Sequence, residues 1–209
     1  MYEQRRGHPR LRALHASPDA PIIDLYVDGA LAVGGVTFAE VSDYVQMPVG
    51  RRQARAFPMG IGGRGKALLE ATLELAPGQD YTLAVLGKLQ ELRSQLLTDT
   101  TAAPSHDRAK IRLLHASPDA PALDMAIARG PTLLANVAFG QVTLWQEVAA
   151  TMADLEFRPS GSRHALMTLP DYTIGGGNLY TFAALGLLRG TPGFMIMPLA
   201  ETVEFRLPM

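Results

Sequence analysis

The sequence Leu-His-Ala-Ser-Pro-Asp-Ala-Pro occurs twice in this chain, at residues 14–21 and again at residues 114–121. All eight positions are identical, and matches on both sides of the motif keep the same order, beginning with Arg12 and Arg112. A period near one hundred residues is the size of an autonomous domain, whereas the units of a solenoid run about 20 to 50 residues. We therefore expect two tandem copies of one domain.

The matches also predict where the chain divides. We expect a first β-sandwich repeat over residues 9–98, a linker over residues 99–109 and a second repeat over residues 110–207. The segment between the repeats is polar and rich in turn-forming residues, as linkers are. Each repeat instead consists of short apolar runs separated by turn signals.

These short runs predict an all-β fold. Residues 22–27 form a β-rich run that ends at Asp28 and Gly29, a pair that favours a tight hairpin turn, and residues 30–33 can return antiparallel. About seven short strands per copy predict two tandem antiparallel β-sandwich domains, of the immunoglobulin-like or transthyretin-like type. The other predicted strands cover residues 36–41, 44–47, 51–57, 81–86, 88–97 and 191–197.

Composition excludes several functional classes. The chain has 209 residues, is 47% hydrophobic and carries a net charge of −1, which gives no bulk electrostatic reason to expect nucleic acid or an anionic membrane as a partner. It has no cysteine, so disulfides and thiolate chemistry are excluded. No apolar run reaches the roughly 18 residues of a membrane span, so we expect no membrane insertion.

The shared motif has an architectural interpretation that we favour. His15 and Ser17 lie two residues apart on a strand that Pro18 turns into a corner, and Asp19 can accept hydrogen bonds from nearby amides. A ligand-binding role is the alternative. The candidate motif residues are His15, Ser17, Asp19, Asp24, His115, Ser117, Asp119 and Asp124.

Two catalytic or metal-binding interpretations are weaker. His15, Ser17 and Asp19 resemble the members of a hydrolytic triad, but they follow one extended segment and do not converge on a cleft, so we predict no catalytic residue and no cofactor. Asp19, Asp24 and Asp28 are weak candidates for a calcium site, because oxygen ligands suit calcium. The second copy has Ala128 where the first has Asp28.

Ligand recognition on a sandwich surface remains the third interpretation. Exposed aromatic residues could bind a sugar polymer or a protein, and the candidates are Tyr26, Tyr44, Trp145, Tyr172 and Tyr180. The first copy also contains a basic cluster that the second lacks, which is either a solvated face or a site for an anionic polymer. Its members are Arg51, Arg52, Arg55, Arg64 and Lys66, and Met152, Ala153 and Glu156 stand at the first three matching positions.

The motif, followed by Asp-Leu-Tyr-Val-Asp-Gly at residues 24–29 and Ser-Asp-Tyr-Val at residues 42–45, resembles the bacterial family catalogued as domain of unknown function 4397. Tandem copies are common in that family. The resemblance implies a β-sandwich module for binding or display, often associated with the cell envelope. The second copy departs from the pattern at residues 126–130 and carries Trp145 in place of the tyrosine, so a function tied to the hairpin would belong to the first domain.

We therefore expect a noncatalytic tandem β-sandwich protein that acts as a cell-envelope or extracellular binding module for an envelope polysaccharide or a protein. The alternatives are a metal- or polysaccharide-dependent enzyme with a site between the domains, and a purely structural spacer. No apolar segment follows the basic start at residues 1–10, so we expect no signal peptide in this chain, and a cytoplasmic location stays open.

Overall fold

The computed structural model of the protein describes residues 7–99 and 101–202. It divides into two compact units, Met1–Thr101 and Ala102–Met209. Residues 203–207, which the sequence analysis assigned to the second repeat, lie outside the described residues, as does residue 100 of the expected linker. Among the residues described, no helix is long and apolar enough to cross a membrane.

The described part of the first unit consists of nine strands in two sheets that enclose one apolar core. One sheet has the order β4-β1-β8-β9, with β5 also paired to β1, and the other has the order β3-β2-β6-β7. Buried side chains from both sheets meet in a single cluster. The strands are β1 (Arg10–Ala16), β2 (Ile23–Val27), β3 (Ala30–Val36), β4 (Glu40–Val41), β5 (Val45–Gln46), β6 (Gly50–Pro58), β7 (Leu69–Leu75), β8 (Asp80–Leu86) and β9 (Arg93–Thr98).

The second unit has the same plan. Its sheets have the orders β13-β10-β16-β17 and β12-β11-β14-β15, and their buried side chains also form one core. An isolated bridge between Leu114 and Val142 stands where β1 pairs with β4 in the first unit. The predicted all-β sandwich class is confirmed. The strands are β10 (Arg108–His115), β11 (Leu123–Ile127), β12 (Thr132–Val137), β13 (Gln146–Ala149), β14 (Thr151–Pro159), β15 (Met167–Ile174), β16 (Asn178–Leu185) and β17 (Met195–Thr202).

One strand pair in each unit departs from the expected antiparallel arrangement. β1 runs parallel to β8, and β10 runs parallel to β16. Six of the seven residues of β1 and six of the seven of β8 are buried, as is usual where parallel strands are covered on both faces. Apolar periodicity predicts a buried strand but carries no information on the direction of its neighbour, so the sequence could not reveal this pairing.

The hairpin predicted at Asp28 and Gly29 is present between β2 and β3. Both residues have positive φ angles, 50° and 84°, as a tight hairpin turn of this kind requires. The strand predicted at residues 36–41 is only partly correct, because Val36 ends β3 and Glu40–Val41 form β4, with a turn at residues 37–39 between them. The Glu40 carboxylate accepts hydrogen bonds from both the N–H and the hydroxyl of Thr37, which closes that turn against the β propensity of the run.

The strand predicted at residues 88–97 is only partly correct. Leu89–Glu91 form a single 3₁₀ turn, and β9 begins afterwards at Arg93. Gly87 causes this break, because its φ of +92° ends β8 in a conformation that other residues rarely adopt. A Cβ atom at this position would also lie 2.6 Å from the carbonyl oxygen of Glu91.

We predict that Gly87→Ala destabilises the protein by more than about 3 kcal/mol, because positive-φ strain and a backbone clash act together. Gly29→Ala should cost roughly 1–2 kcal/mol, since Gly29 has a positive φ but open space around it. Gly7→Ala should have no effect, because nothing lies within 4 Å of its added Cβ atom. Urea unfolding of the three variants measures these losses in the free energy of unfolding. Equal losses for Gly87→Ala and Gly29→Ala would contradict the prediction, because they would show that the backbone relaxes to remove the clash.

Candidate functional site

The histidine of the motif is buried in both units and binds the backbone. The Nε2 atoms of His15 and His115 lie 2.9 Å from the carbonyl oxygens of Pro21 and Pro121. A carbonyl only accepts hydrogen bonds, so Nε2 carries the proton. Each ring also meets a phenylalanine edge to face, Phe38 at 6.4 Å and Phe139 at 6.2 Å. The imidazole therefore closes the corner that the two prolines begin.

The other ring nitrogen differs between the units. In the first unit, the N–H of Ser17 donates to Nδ1 of His15 at 3.3 Å. Nδ1 of His115 is buried without a hydrogen-bond partner among the described residues. Burial lowers the pKa of both histidines, against the raising effect of the proline carbonyls. The lowered pKa means that both rings are neutral at neutral pH in the folded protein.

The aspartate of the motif holds the turn that follows the parallel strand. Asp19 accepts a hydrogen bond from the N–H of Leu89 at 2.7 Å. Asp119 accepts two, from Leu188 at 2.8 Å and from Arg189 at 3.0 Å. This is the amide-accepting role that the architectural interpretation assigned to the motif, although its donors come from a loop about 70 residues away in sequence.

Asp24 and Asp124 each join three backbone segments. The Asp24 carboxylate accepts hydrogen bonds from Gly35 of β3 at 2.8 Å and from Gly60, just beyond β6, at 3.1 Å. Asp124 accepts from Asn136 at 2.8 Å and from Gly161 at 2.9 Å. Burial disfavours the charge of Asp124, but these two amides, the Ser160 hydroxyl and the charge of Arg158 together outweigh burial and leave its pKa below the ordinary value.

The structure brings together neither a hydrolytic triad nor a calcium site. The hydroxyl of Ser17 faces Asp19 at 3.4 Å, and that of Ser117 donates to the carbonyl of Gly186, so neither hydroxyl donates to a histidine. Asp28 instead accepts from the N–H of Gln53 and pairs with an arginine. Residues 7–99 and 101–202 contain no group of three or more histidine, aspartate or glutamate side chains placed to hold a metal ion, so the calcium candidates receive no support.

A buried polar network in the first unit escaped the sequence analysis. Arg12 donates to the hydroxyl of Thr82 at 2.8 Å, and that hydroxyl donates to Asp99 at 2.6 Å. The hydroxyl of Tyr44 donates to the same carboxylate at 2.7 Å. Asp99 lay in the expected linker, yet its side chain is almost fully buried in the first unit. The matches of Arg12 with Arg112, Thr82 with Thr181 and Tyr44 with Trp145 were the sequence signals for this network.

The five candidate aromatic rings all pack within their own unit. The guanidinium groups of Arg10 and Arg12 lie over the Tyr44 ring, and Arg112 lies over Trp145 at 4.1 Å. Tyr26 meets Phe57 edge to face and presses against the loop glycine Gly63, and Tyr172 and Tyr180 pack on Phe182. Rings used in this way are poor platforms for stacking on sugars.

The basic cluster of the first unit is mostly neutralised. Arg51 pairs with Glu74, Arg52 with Asp28 and Arg55 with Glu70, across exposed strand faces. Two cations remain, and neither has an ion pair within the described residues. They are Arg64 and Lys66, both exposed in the loop between β6 and β7.

Four exposed aliphatic or thioether side chains lie in this loop, on β3 or just before β2. They are Ile22, Leu31, Met59 and Ile61, and are here called the apolar patch. Leu31 and Met59 are 56% and 57% exposed. The N–H of Met59 donates to the carbonyl of Ile22 at 2.8 Å. A Cβ atom added at Gly35 would lie 3.7 Å from the Met59 sulfur, and one added at Gly34 would lie 3.7 Å from the Leu31 side chain, so Met59 and Leu31 lie next to two consecutive residues of β3.

The second unit carries small or polar residues at the matching positions. In the first unit, Ile23 pairs with Val36 on one neighbouring strand and with Pro58 on the other. In the second unit, Leu123 pairs with Val137 and with Pro159 in the same way. Counting along the strands from these pairs gives the counterparts of the apolar patch. They are Ala122, Thr132, Ser160 and Ser162. A position-by-position comparison of the two copies would have found this difference in the sequence.

Comparison with known proteins agrees with the family resemblance. A family model described as Domain of unknown function (DUF4397) matches residues 9–126, more than half of the chain. The chain belongs to this family. The match spans the strands of the first unit and extends into β11 of the second, and the family's description assigns no activity. No curated protein matches the chain.

We predict that Asp124→Asn destabilises the protein by about 1–3 kcal/mol at neutral pH, because an NH₂ group would face one of the two amides. The loss should shrink as the pH falls below 3.8 and through the lowered pKa of folded Asp124, since a depressed carboxyl pKa contributes its full stability above the unfolded value and loses it between the two pKa values. Urea unfolding at several pH values measures both effects. Asp43→Asn, at an exposed carboxylate, is the control, and a loss that does not change with pH would contradict this role.

The two histidines should make the protein acid-sensitive. Their folded pKa is lowered from 6.5, so the unfolded chain takes up protons first and stability falls as the pH drops below about 6.5. Above that pH their contribution is fully present. In the double variant His15→Gln and His115→Gln, whose amide NH₂ can still donate to the proline carbonyls, the melting temperature should fall less between about pH 7 and pH 5. Parallel curves for variant and wild type would refute this.

Proposed function

We propose that this protein is a noncatalytic binding module whose two units are two copies of the family domain, and that the first unit does the binding. Its binding face is the apolar patch. The second unit provides the same frame without that face. An envelope or extracellular location suits such a module and belongs to the same proposal.

The use of the motif residues supports a role without catalysis. His15, Asp19 and Asp24 direct their polar atoms at backbone carbonyls and amides of their own unit. His15 and Ser17 are fully buried. A general base or nucleophile has to reach a substrate, and side chains engaged in this way do not.

The difference between the two copies is the observation that carries the proposal. The frame set by Asp24 and Asp124 is the same in both units, so the fold does not require Leu31, Met59 or Ile61 to be apolar. Exposing such residues together promotes unwanted association, and a contiguous patch on a soluble domain is often a binding site. The first unit exposes apolar side chains at the four positions of the apolar patch, whereas the second has small or polar residues there. The exposed apolar side chains of the second unit, Leu144 and Met152, lie at other positions.

The chemistry of the apolar patch favours a partner with apolar groups over a sugar polymer. Its members are aliphatic or thioether side chains, which fill apolar contacts but offer no flat ring for a sugar to stack on. The five candidate aromatic rings pack within their units instead. Of the two partner classes expected from the sequence, this leaves polysaccharide as the weaker one.

Site-specific photo-crosslinking tests this proposal even though the partner is unidentified. A diazirine-bearing methionine analogue at position 59 should form adducts when the protein is irradiated in a bacterial envelope fraction containing both proteins and membranes. The same analogue at position 152 is the matched control, because Met152 is 68% exposed in the second unit. Mass spectrometry should find adducts at position 59 well above those at position 152. Equal labelling at the two positions would overturn the proposal.

A further inference from the structure

We infer that the partner of the apolar patch is an anionic lipid surface, which Arg64 and Lys66 contact while the apolar side chains enter the outer part of the acyl region. This inference rests on the proposed function and names its ligand. It follows from the shape of the loop between β6 and β7, from the charges left unpaired there and from the size of the apolar patch.

The loop places apolar and basic side chains side by side. The N–H of Arg64 donates to the carbonyl of Ile61 at 3.3 Å, so these two residues close one turn. Gly60, Gly62, Gly63 and Gly65 all have positive φ angles, which lets the chain bend repeatedly over this short length. Met59, Ile61, Arg64 and Lys66 are consequently exposed within eight residues of each other.

This loop is longer in the first unit than in the second. Leu68 donates to the carbonyl of Ala56, and the matching bond in the second unit joins Leu166 to Phe157. The first loop holds 11 residues between these bonded residues, and the second holds 8. The extra length contains the glycine-rich turn with its two exposed cations, whereas the shorter loop of the second unit has one exposed arginine, Arg163, and no lysine.

The charges around the apolar patch complement an anionic surface. The nearby carboxylates are already engaged, Asp24 by two amides, Asp28 by Arg52 and Glu70 by Arg55. The exposed cations Arg64 and Lys66 have no such partner within the described residues. Each basic side chain close to an anionic membrane strengthens binding roughly fivefold.

The apolar patch suits a lipid surface better than the other occupants. Four half-exposed side chains offer on the order of a few hundred Å², well below the roughly 800 Å² that each partner buries in a standard protein interface. Two register shifts in the pairing of β2 with β3 also break the regular edge that an added peptide strand would need. A membrane needs neither a large area nor a regular edge. It requires two signals together, apolar insertion and basic charge.

Vesicle co-sedimentation of the full chain tests the inference. Vesicles of equal parts phosphatidylcholine and phosphatidylglycerol should bind the wild type, and vesicles of phosphatidylcholine alone should bind it much more weakly. The pair Arg64→Gln and Lys66→Gln should weaken binding to the anionic vesicles roughly 30-fold. The pair Met59→Ser and Ile61→Ser, which introduces the residues of the second unit, should weaken it about tenfold or more.

Matched controls separate lipid binding from loss of structure. Met152→Ser and Leu144→Ser remove exposed apolar side chains of the second unit, 68% and 90% exposed, and should leave vesicle binding unchanged. Melting curves of all variants should match the wild type, because the altered side chains are exposed. Added salt should weaken the binding, since the headgroup contacts are electrostatic.

The outcomes distinguish this inference from the proposed function. Equal binding to both vesicle types, or binding that neither loop variant weakens, would overturn the inference. Protein adducts at position 59 without vesicle binding would overturn the lipid surface and keep the binding module. Self-association that depends on Met59 in the absence of lipid would assign the apolar patch to a second copy of the chain and also overturn it. If the protein forms no adducts at position 59 and does not bind vesicles, both the inference and the proposed function are refuted.

Discussion

A carboxylate placed between three backbone segments organises one sheet of each unit. Asp24 in β2 accepts one hydrogen bond from a backbone amide in the bulge of β3 and another from a backbone amide at the start of the loop after β6. Asp124 accepts the equivalent two hydrogen bonds in the second unit. A bulge leaves backbone groups out of the regular ladder, and an unpaired buried amide is costly. The aspartate therefore stabilises both the bulged strand and the loop, and it sets where the loop leaves the sheet.

The motif before that aspartate performs the equivalent task for the other sheet. Its histidine bonds to the second proline carbonyl and its aspartate to the turn after the parallel strand, so the corner links β1 to the end of β8. Histidine, serine and aspartate also form hydrolytic sites, but the histidine and aspartate of this motif direct their polar atoms at the backbone. With both sheets held in this way, the outer surface is free to differ. The second unit uses small and polar residues where the first exposes Leu31 and Met59.

Much of this could be predicted from the sequence, for identifiable reasons. The hairpin at Asp28 and Gly29 followed from turn chemistry, because few pairs of residues adopt two positive φ angles in succession. The sandwich class followed from the number and spacing of strand-like runs. The turn at Thr37 could not be foreseen, since it depends on a side-chain bond from Glu40 that outweighs local β propensity. The polar network around Asp99 was missed because its members are distant in sequence.

The sequence by itself determined the duplicated motif, the family, the all-β class and the residues available at each corner, because these depend on local residue order and backbone preference. Only the tertiary structure decided the parallel pairing of β1 with β8, the donors that meet Asp19 and Asp24, and the exposure of the apolar patch beside Arg64 and Lys66. The reason is physical: strand direction, hydrogen-bond partners and solvent exposure depend on segments that are far apart along the chain and become neighbours only when the two sheets pack.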